Sequence, residues 1–278
     1  MTTKRTVART LELAVDALNA GDPVRAAGLA LQALQEQPQN RDALMILGTA
    51  RFVALCNPHD VFFTKLKAIG FRPKTAVDIG AYEGEWTLAL KRSFPETRVL
   101  MIEAQSDTIP ALKAITDSFA DATYRTCLVG DRMDDVVPFH VMDTPYGTST
   151  GSSIYPEQTR FSRNVVKLEM KTLDRILAGS DMAAPDLLKI DVQGAELDVL
   201  KGAVNALKTV EFIHMELSTL QYNAGAPLIA DVLPHLEMSG FVLFDILDEH
   251  RGPNQMLLQL DALFVRKGSA FRPTGILF

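Results

Sequence analysis

The chain is predicted to form an α/β fold: a seven-stranded, mostly parallel sheet with an antiparallel C-terminal hairpin, preceded by an N-terminal α-helical hairpin. From Thr75 onward, short apolar strands alternate with helical segments, which is typical of parallel strands joined by crossover helices. The link between the last two strands contains Gly252-Pro253 and is too short for a parallel return, so these strands should pair antiparallel. Residues 8–56 show helical spacing of apolar residues instead.

Each predicted strand is a short apolar run bounded by polar or turn residues. In chain order the strands are Ala76–Ile79, Arg98–Glu103, Thr123–Val129, Leu187–Asp191, Val210–Leu217, Gly240–Leu247 and Leu257–Val265. Helices are predicted at Ala195–Leu207 and Ala226–Met238. Between the third and fourth strands, Val136–Met170 is predicted to be β-rich, within an insertion of residues 131–171 near a substrate site. We divide the chain into a helical segment, residues 1–56, and an α/β domain, residues 57–278.

The N-terminal segment resembles part of a tetratricopeptide array. Gly21-Asp22-Pro23 breaks the first helix, and the small residues that follow are spaced as in the second helix of such a repeat: Ala26, Ala30, Ala33 and then Pro38. The resemblance covers about one and a half repeats, fewer than the roughly three that a stable solenoid needs. A hairpin docked on the main domain is one interpretation. The other is a surface for a homodimer or a protein partner.

The composition is that of an ordinary globular protein. Of 278 residues, 47% are hydrophobic and 22% are charged, and the net charge is −6, which argues against a disordered chain or a nucleic-acid partner. Cys56 and Cys127 lie far apart, match no metal spacing and are expected to be reduced core residues. No apolar run approaches transmembrane length and no signal core follows the N-terminus, so we expect a cytoplasmic protein without membrane insertion.

The stretch Thr75-Ala-Val-Asp-Ile-Gly-Ala-Tyr-Glu-Gly-Glu-Trp-Thr87 indicates a nucleoside-binding turn between a buried strand and a helix. It is acidic: no Lys or Arg occurs between Thr75 and Lys91, and the carboxylates here are Asp78, Glu83, Glu85 and Glu103. A dinucleotide pyrophosphate favours helix N-terminal amides with few anions nearby. S-adenosylmethionine, in contrast, carries a sulfonium, an ammonium and a ribose diol, so the sequence predicts S-adenosylmethionine as the cofactor.

Carboxylates recur at the carboxyl ends of the predicted strands, where ligands bind in open α/β sheets. They are Asp78, Glu103, Asp191 and Glu216. Gly80 permits a tight turn, and Gly84 is expected to let the backbone approach the ligand. Two alternatives stay open: Asp78 could cap the following turn, and Glu103 could be a solvated residue at the end of a strand.

Four motifs together resemble the FkbM family of S-adenosylmethionine-dependent methyltransferases, which have a class I, Rossmann-like fold. They are Asp78-Ile-Gly-Ala-x-x-Gly84, Ile102-Glu103, Leu188-Lys-Ile-Asp-Val-Gln-Gly-Ala-Glu196 with Leu200-Lys-Gly-Ala203, and Leu260-Asp-Ala-Leu-Phe-Val-Arg266. The resemblance spans roughly residues 72–267. It implies an O-methyltransferase whose acceptor is a hydroxyl of a sugar, a glycan or a glycosylated secondary metabolite. The acidic loop Glu83-Gly84-Glu85 departs from relatives, which more often have neutral polar residues there.

The resemblance also implies roles for individual residues. The methionine part of the cofactor would be surrounded by Asp78, Gly80, Ala81 and Gly84, and the ribose hydroxyls would bind Glu103. The adenine would meet Val129 and Asp131, although Asp131 could equally form a turn. The hydroxyl-rich loop of residues 146–155 is expected to form part of the acceptor pocket or a mobile surface loop. The substrate-binding candidates are Ser152, Ser153, Tyr155 and Glu196.

Methyl transfer to a hydroxyl needs in-line positioning and removal of the acceptor proton. Asp191 and Glu216 are the best-placed carboxylates, and Asp191 is also a candidate cofactor ligand. The remaining catalytic candidates are Lys189 and His214; strand alternation puts His214 and Glu216 on one side, although a lone His could simply be buried. Asp191 and Glu216 could instead hold a divalent cation as a Lewis acid, but no clear third ligand is visible.

Two rival functions remain at this point. A nicotinamide-dependent oxidoreductase would share the α/β fold, but the turn lacks the third fingerprint glycine and has the wrong charge for a pyrophosphate. A non-catalytic interaction protein would use the helical segment to bind a partner. The sole Trp, Trp86, is expected to pack beneath the first helix of the domain and not to stack on adenine.

Overall fold

A computed structural model describes residues 2–19, 23–55, 58–143, 150–158 and 161–272 of the chain. These residues form two units, Met1–Val61 and Phe62–Phe278. Two predictions fall on residues outside the described ranges: Cys56, and the first part of the hydroxyl-rich loop, residues 146–149 with Tyr146. No helix among the described residues is both long and apolar enough to cross a membrane.

The N-terminal unit is helical, as predicted. It contains α1 (Thr2–Asn19), α2 (Pro23–Glu36), α3 (Arg41–Leu55) and the beginning of α4 (Pro58–Ala68). Helices α1 and α2 pack through small residues, because Ala14 and Ala30 are buried together, and the larger Ile46 of α3 joins the same cluster. Small side chains permit this close approach of neighbouring helices. The likeness to a tetratricopeptide repeat and the role of this unit remain predictions.

The larger unit alternates strands and helices. Its first half contains β1 (Thr75–Ile79), α5 (Glu85–Ser93), β2 (Arg98–Glu103), α6 (Ile109–Ser118), β3 (Ala122–Thr126), β4 (Leu128–Val129), β5 (Val136–Asp143), β6 (Ser162–Lys171) and α7 (Leu173–Leu177). Its second half contains β7 (Leu187–Ile190), α8 (Glu196–Lys201), β8 (Phe212–Ser218), α9 (Ile229–Met238), β9 (Phe241–Arg251) and β10 (Leu257–Arg266).

The main sheet has seven strands in the order β3-β2-β1-β7-β8-β10-β9. The first five are parallel to their neighbours, and β10 is antiparallel to both β8 and β9. This confirms the predicted fold class. The order reverses between β1 and β7, so the carboxyl ends of β1, β2 and β7 meet at the switch point where open α/β sheets bind ligands.

Several element bounds differ from the prediction for identifiable reasons. The third strand ends at Thr126, because Leu128 and Val129 leave the sheet and pair with β6. The predicted helix Ala195–Leu207 stops at Lys201, where an added Cβ on Gly202 would lie 2.1 Å from the carbonyl oxygen of Gly130. β9 continues past Leu247 to Arg251, since its pairing with β10 extends to the turn.

Residues 136–171 form the predicted β-rich excursion. β5 and β6 pair antiparallel, and β6 pairs in parallel with β4, giving a three-stranded sheet of order β4-β6-β5. This small sheet has a separate hydrophobic cluster, in which Val137, Phe139 and Met170 are buried with Leu128. A backbone pair between His140 and Ser153 ties the described part of the loop to β5.

The core lies on both faces of the main sheet. Alternation along β1 sends Val77 and Ile79 to one face and Ala76 to the other. Asp78 therefore lies on the Ala76 face, fully buried beside α5. A carboxylate in such surroundings must be hydrogen-bonded or ion-paired.

Candidate functional site

A cavity opens at the carboxyl ends of β1, β2 and β7. We name it the donor cavity. Its strand-end and loop lining comprises Ile79, Gly80, Tyr82, Ile102, Glu103, Ala104, Gln105, Asp191, Val192, Gln193 and Ala195. Cys127, Leu128 and Val129 come from around β4, and the insertion contributes Phe139, Thr150, Ser152 and Ile154.

The turn after β1 is fixed by close backbone contact. Gly80 has φ +74°, and an added Cβ would lie 1.7 Å from the carbonyl oxygen of Asp191. The amides of Gly80 and Ala81 both donate to the carbonyl oxygen of Ile102, at 2.9 and 3.1 Å. Only glycine combines this backbone conformation with the absent side chain that the contact requires.

Beneath this turn lies a buried cation. The Lys189 ammonium is 3.1 Å from the carbonyl oxygen of Gly80, 3.3 Å from Asp191 Oδ2 and 3.4 Å from Asp78 Oδ1. Burial alone would lower the pKa of Lys189, but the Asp191 and Asp78 carboxylates outweigh it and raise that pKa. Lys189 is therefore a permanent positive charge. The other oxygen of Asp78 accepts a 2.7 Å hydrogen bond from Thr87.

Glu103 forms a carboxylate wall of the donor cavity. Its Oε2 accepts from the amide of Tyr82 at 2.8 Å, and its Oε1 accepts from the amide of Gln105 at 2.9 Å. Burial raises the pKa of Glu103, against the lowering effect of these backbone hydrogen bonds. Each oxygen keeps a lone pair that a ligand hydroxyl could use.

The opposite walls are mostly apolar. Ile102, Val129, Phe139 and Ile154 line this part of the donor cavity. Two polar side chains also line the cavity: the Ser152 hydroxyl donates to Gln105 Oε1 at 3.1 Å. Cys127 lies here as a free, half-buried thiol that packs against the edge of the hydrophobic core, and burial raises the pKa of this thiol to about 11.

The loop between β7 and α8 is held by Glu196. Its Oε1 accepts from the amides of Val192 and Gly194, at 3.1 and 3.0 Å. Burial raises the pKa of Glu196 to about 7, although these amides favour its charged form. Between the two amides, Gln193 adopts φ +55°. This conformation directs its side chain to Asp191 and Glu216, whose oxygens lie 2.9 and 2.8 Å from Nε2.

A second cavity adjoins the first. We name it the polar groove. Its described lining is Thr150, Gln193, Glu216, Asp248, Glu249, His250, Gln259, Leu260 and Asp261. Thr150 and Gln193 line both cavities. Burial, followed by the charges of Asp191, Glu196 and Asp261, raises the pKa of Glu216 well above its usual range.

The structure brings together three of the four predicted catalytic residues. Asp191 lines the donor cavity and Glu216 lines the polar groove, while Lys189 lines neither cavity and lies beneath Asp191, 3.3 Å from its Oδ2. His214 is different: its Nδ1 accepts from Trp86 Nε1 at 3.0 Å, and its Nε2 is 3.3 Å from Asp261 Oδ1. Trp86 is buried on α5, in agreement with the expectation that it packs in the core. His214 thus supports the core and lines neither cavity.

Half of the predicted cofactor residues line the donor cavity and half do not. Gly80, Glu103, Val129 and Asp191 line the donor cavity, whereas Asp78, Ala81, Gly84 and Asp131 do not. The Asp131 carboxylate accepts a hydrogen bond from Arg132 Nε at 3.2 Å. Gly84 was expected to let the backbone approach a ligand, but an added Cβ there would meet Ile115 at 2.3 Å. Because Gly84 has no side chain, Ile115 of α6 can occupy the space that a Cβ would fill.

The predicted substrate residues lie outside the polar groove. Ser152 lines the donor cavity, and Ser153 Oγ accepts from the amide of Tyr155 at 3.1 Å. The Tyr155 hydroxyl donates to Asp198 at 2.8 Å, and Glu196 holds its own loop. Their roles toward a substrate remain predictions.

Sequence reasoning missed many lining residues of the two cavities; four of them, Gln105, Phe139, Gln193 and Gln259, shape the site most directly. Gln193 stood inside the Asp191–Glu196 motif, where its position before a turn glycine was a usable signal. The other three are placed by packing between distant segments and carry no local signal. Among the described residues, no group of three or more His, Cys, Asp or Glu has the geometry of a metal site.

Replacing Gly80 by alanine is expected to destabilise the fold, because the methyl group would collide with the Asp191 carbonyl. Gly240 is the matched control: it has φ +87° but open space around its Cβ position. We expect Gly240→Ala to cost about 1–2 kcal/mol of backbone strain and Gly80→Ala at least about 3 kcal/mol more, in urea unfolding. Equal losses in the two variants would contradict the steric account of the turn.

Comparison with curated proteins gives two partial matches. The chain is 32% identical over 93 residues to hexuronic acid methyltransferase AglP of Haloferax volcanii, covering 30% of this chain and 39% of that protein. It is 36% identical over 76 residues to 2-O-methyltransferase NoeI of Sinorhizobium fredii, covering 26% and 31%. The matched segments thus span less than half of either relative.

Among solved structures, the N-terminal domain of EvdMO1, crystallised with SAH and D-fucose, matches with a TM-score of 0.42 and 14% identity. That match covers 76% of this chain and 83% of the other. Precorrin-6y C5,15-methyltransferase from Geobacter metallireducens matches with a TM-score of 0.41 and 12% identity, covering 76% and 87%.

The family comparison covers the donor cavity and Glu216, whereas the groove residues from Asp248 onward lie outside the matched range. A sequence model described as the methyltransferase FkbM domain matches residues 78–243, which is more than half of the chain. The matched range begins at Asp78 and includes Glu103, Lys189, Asp191 and Glu216. The chain therefore belongs to the FkbM methyltransferase family.

Proposed function

We propose that this protein transfers the methyl group of S-adenosylmethionine to a hydroxyl of a sugar-containing acceptor. The observation that carries the proposal is the junction of two cavities: the donor cavity and the polar groove meet at Gln193 and Thr150, beside Asp191 and Glu216. A methyltransferase needs such adjacency, because donor and acceptor must be held in line.

The cofactor prediction holds for a member of this family, whose methyl donor is S-adenosylmethionine. The donor cavity fits that molecule by the chemistry of its residues. Glu103 offers carboxylate oxygens to a ribose diol, and Asp191 offers a negative charge to an ammonium or a sulfonium. Ile102, Val129 and Phe139 offer apolar surface to adenine. When bound, S-adenosylmethionine supplies an electrophilic methyl carbon on a positively charged sulfur.

The charge of the donor cavity also bears on the rival nicotinamide cofactor. Within the described part of the chain, no Lys or Arg lines this cavity, and Lys189 is occupied below it by Asp78, Asp191 and the Gly80 carbonyl. A pyrophosphate would meet Glu103 and Asp191 without a compensating cation. We therefore set the oxidoreductase alternative aside.

In this proposal Glu216 accepts the proton of the acceptor hydroxyl. It lines the polar groove, it is linked to Asp191 through Gln193, and its raised pKa makes it a stronger base than an ordinary carboxylate. Lys189 is ion-paired and buried, so its role is to hold Asp191 and the Gly80 turn. The rate should fall as the pH drops through the pKa of Glu216, because the carboxylate is lost.

The relatives point to a sugar hydroxyl as the acceptor, and the charge of the polar groove narrows the class of sugar. AglP is named for hexuronic acid and NoeI for 2-O-methylation. The described lining of the groove here is rich in carboxylates, with His250 as its one titratable nitrogen base. We infer a neutral or amine-bearing sugar as the acceptor, and not a uronate. A cytoplasmic location and a partner at the helical unit remain expectations.

The cofactor proposal is tested by calorimetric titration with S-adenosylhomocysteine and, separately, with NAD. The wild-type protein is expected to bind S-adenosylhomocysteine and not NAD. Glu103→Gln should weaken binding about tenfold or more, because the amide cannot accept from Tyr82 and Gln105 together and offers less to a diol.

The matched control is Glu96→Gln, an exposed residue in the turn before β2, at the opposite edge of the sheet. It should bind S-adenosylhomocysteine as the wild type does. Binding of NAD in place of S-adenosylhomocysteine would remove the proposed function. Equal binding by Glu103→Gln and the wild type would remove the role of Glu103.

The acceptor class is tested by initial rates of methyl transfer to methyl β-D-glucopyranoside, the glucosaminide and the glucuronide. We expect the glucuronide to be the poorest acceptor by about tenfold or more, because like charges would face each other in the groove. The variant Asp248→Asn/Glu249→Gln should narrow that gap about threefold, while Glu96→Gln should leave it unchanged. A preference for the glucuronide would contradict the acceptor class without affecting the donor assignment.

A further inference from the structure

The Glu216 carboxyl is held by two side-chain amides. Nε2 of Gln193 donates to Glu216 Oε2 at 2.8 Å, and Nε2 of Gln259 donates to the same oxygen at 2.9 Å. Gln193 comes from the β7–α8 loop and Gln259 from β10, so the two donors arrive from different elements. Oε2 is thereby fixed from two directions.

Gln193 also reaches the donor side of the site. The same Nε2 donates to Asp191 Oδ1 at 2.9 Å, so both amide hydrogens are used, one on each carboxylate. The backbone of Gln193 has φ +55°, a conformation that residues other than Gly, Asn and Asp seldom adopt. Strain of this kind persists only where the surrounding structure enforces it. Here it places one amide between the two cavities.

We propose that Gln193 and Gln259 are positioning residues of the methyl transfer: they fix Oε2 of Glu216 and leave Oε1 to receive the acceptor proton. This inference rests on the proposed function. Glu216 takes the proton that the hydroxyl loses as the new oxygen–methyl bond forms. The sulfur–methyl bond breaks in the same step, and its electron pair stays on sulfur.

The surroundings of Glu216 explain why amides are needed. Asp191, Glu196 and Asp261 face it from the β7–α8 loop, α8 and β10, and their charges oppose its ionisation. Lys189 on β7 favours ionisation but is ion-paired with Asp191 and Asp78. The remaining titratable neighbours on the groove and strand are Tyr222, His214, Asp248, Glu249 and His250.

Neutral amides have a specific advantage over a cation in this position. Hydrogen bonds to the charged form favour the carboxylate. Because Gln193 and Gln259 carry no charge, they do so without the strong attraction by which a paired Lys or Arg would make the carboxylate a weak base. The base is thus oriented and still basic.

The test is an NMR titration of the Glu216 carboxyl in protein labelled with carbon-13 at glutamate Cδ, with and without S-adenosylhomocysteine. The Glu216 signal is identified by its loss in Glu216→Gln. In Gln193→Leu and in Gln259→Leu we expect its midpoint to rise by about one pH unit, because an N–H donor to the carboxylate is removed. Gln32→Leu, at an exposed position on α2, is the matched control and should leave the midpoint unchanged.

Each variant tests the positioning role of the residue that it replaces. An unchanged or lowered midpoint in Gln259→Leu overturns the assignment for Gln259, and the same result in Gln193→Leu overturns it for Gln193. If Gln193→Leu fails to fold, Gln259→Leu still tests the account, since it leaves the β7–α8 loop intact. If the wild-type protein does not bind S-adenosylhomocysteine, the proposed function is contradicted. The titration without ligand still tests whether the two amides lower the pKa of Glu216.

Discussion

The buried ammonium of Lys189 is the interaction on which the site depends. It lies within 3.4 Å of two carboxylates from neighbouring strands and of the carbonyl oxygen of the Gly80 turn. Without it, Asp78 would be an uncompensated charge in the core, a situation that costs several kcal/mol. The same cation holds Asp191 at the end of β7, so the turn after β1 and the junction between the cavities are positioned by one side chain.

Above Lys189 the site is organised by neutral donors. Backbone amides of Tyr82 and Gln105 hold Glu103, and side-chain amides of Gln193 and Gln259 hold Glu216. These hydrogen bonds orient both carboxylates and favour their charged forms, while burial raises the pKa of each. A donor cavity of this kind suits a positively charged ligand, and the adjoining polar groove suits an acceptor that is not an anion. In the proposed function, the selectivity for the donor and for the acceptor has one electrostatic origin.

Much of this arrangement could be predicted from the sequence. Apolar runs located the strands, and because carboxyl ends of parallel strands meet at one edge, Asp191 and Glu216 could be expected to lie close together. What could not be predicted depends on contacts between distant segments. Gly84 was expected to let the backbone approach the ligand, whereas its hydrogen faces Ile115, a contact that the local sequence does not reveal. The pairing of His214 with Trp86, and the use of Phe139 as a wall of the donor cavity, arise only when the insertion and helices pack.

The most direct test of the account is a crystal structure of the protein with S-adenosylhomocysteine. The account predicts that the ribose hydroxyls lie within hydrogen-bond distance of Glu103 and that the sulfur lies at the Asp191–Gln193 end of the donor cavity, toward the polar groove. Binding in the polar groove, or in the donor cavity with the ribose away from Glu103, would contradict it.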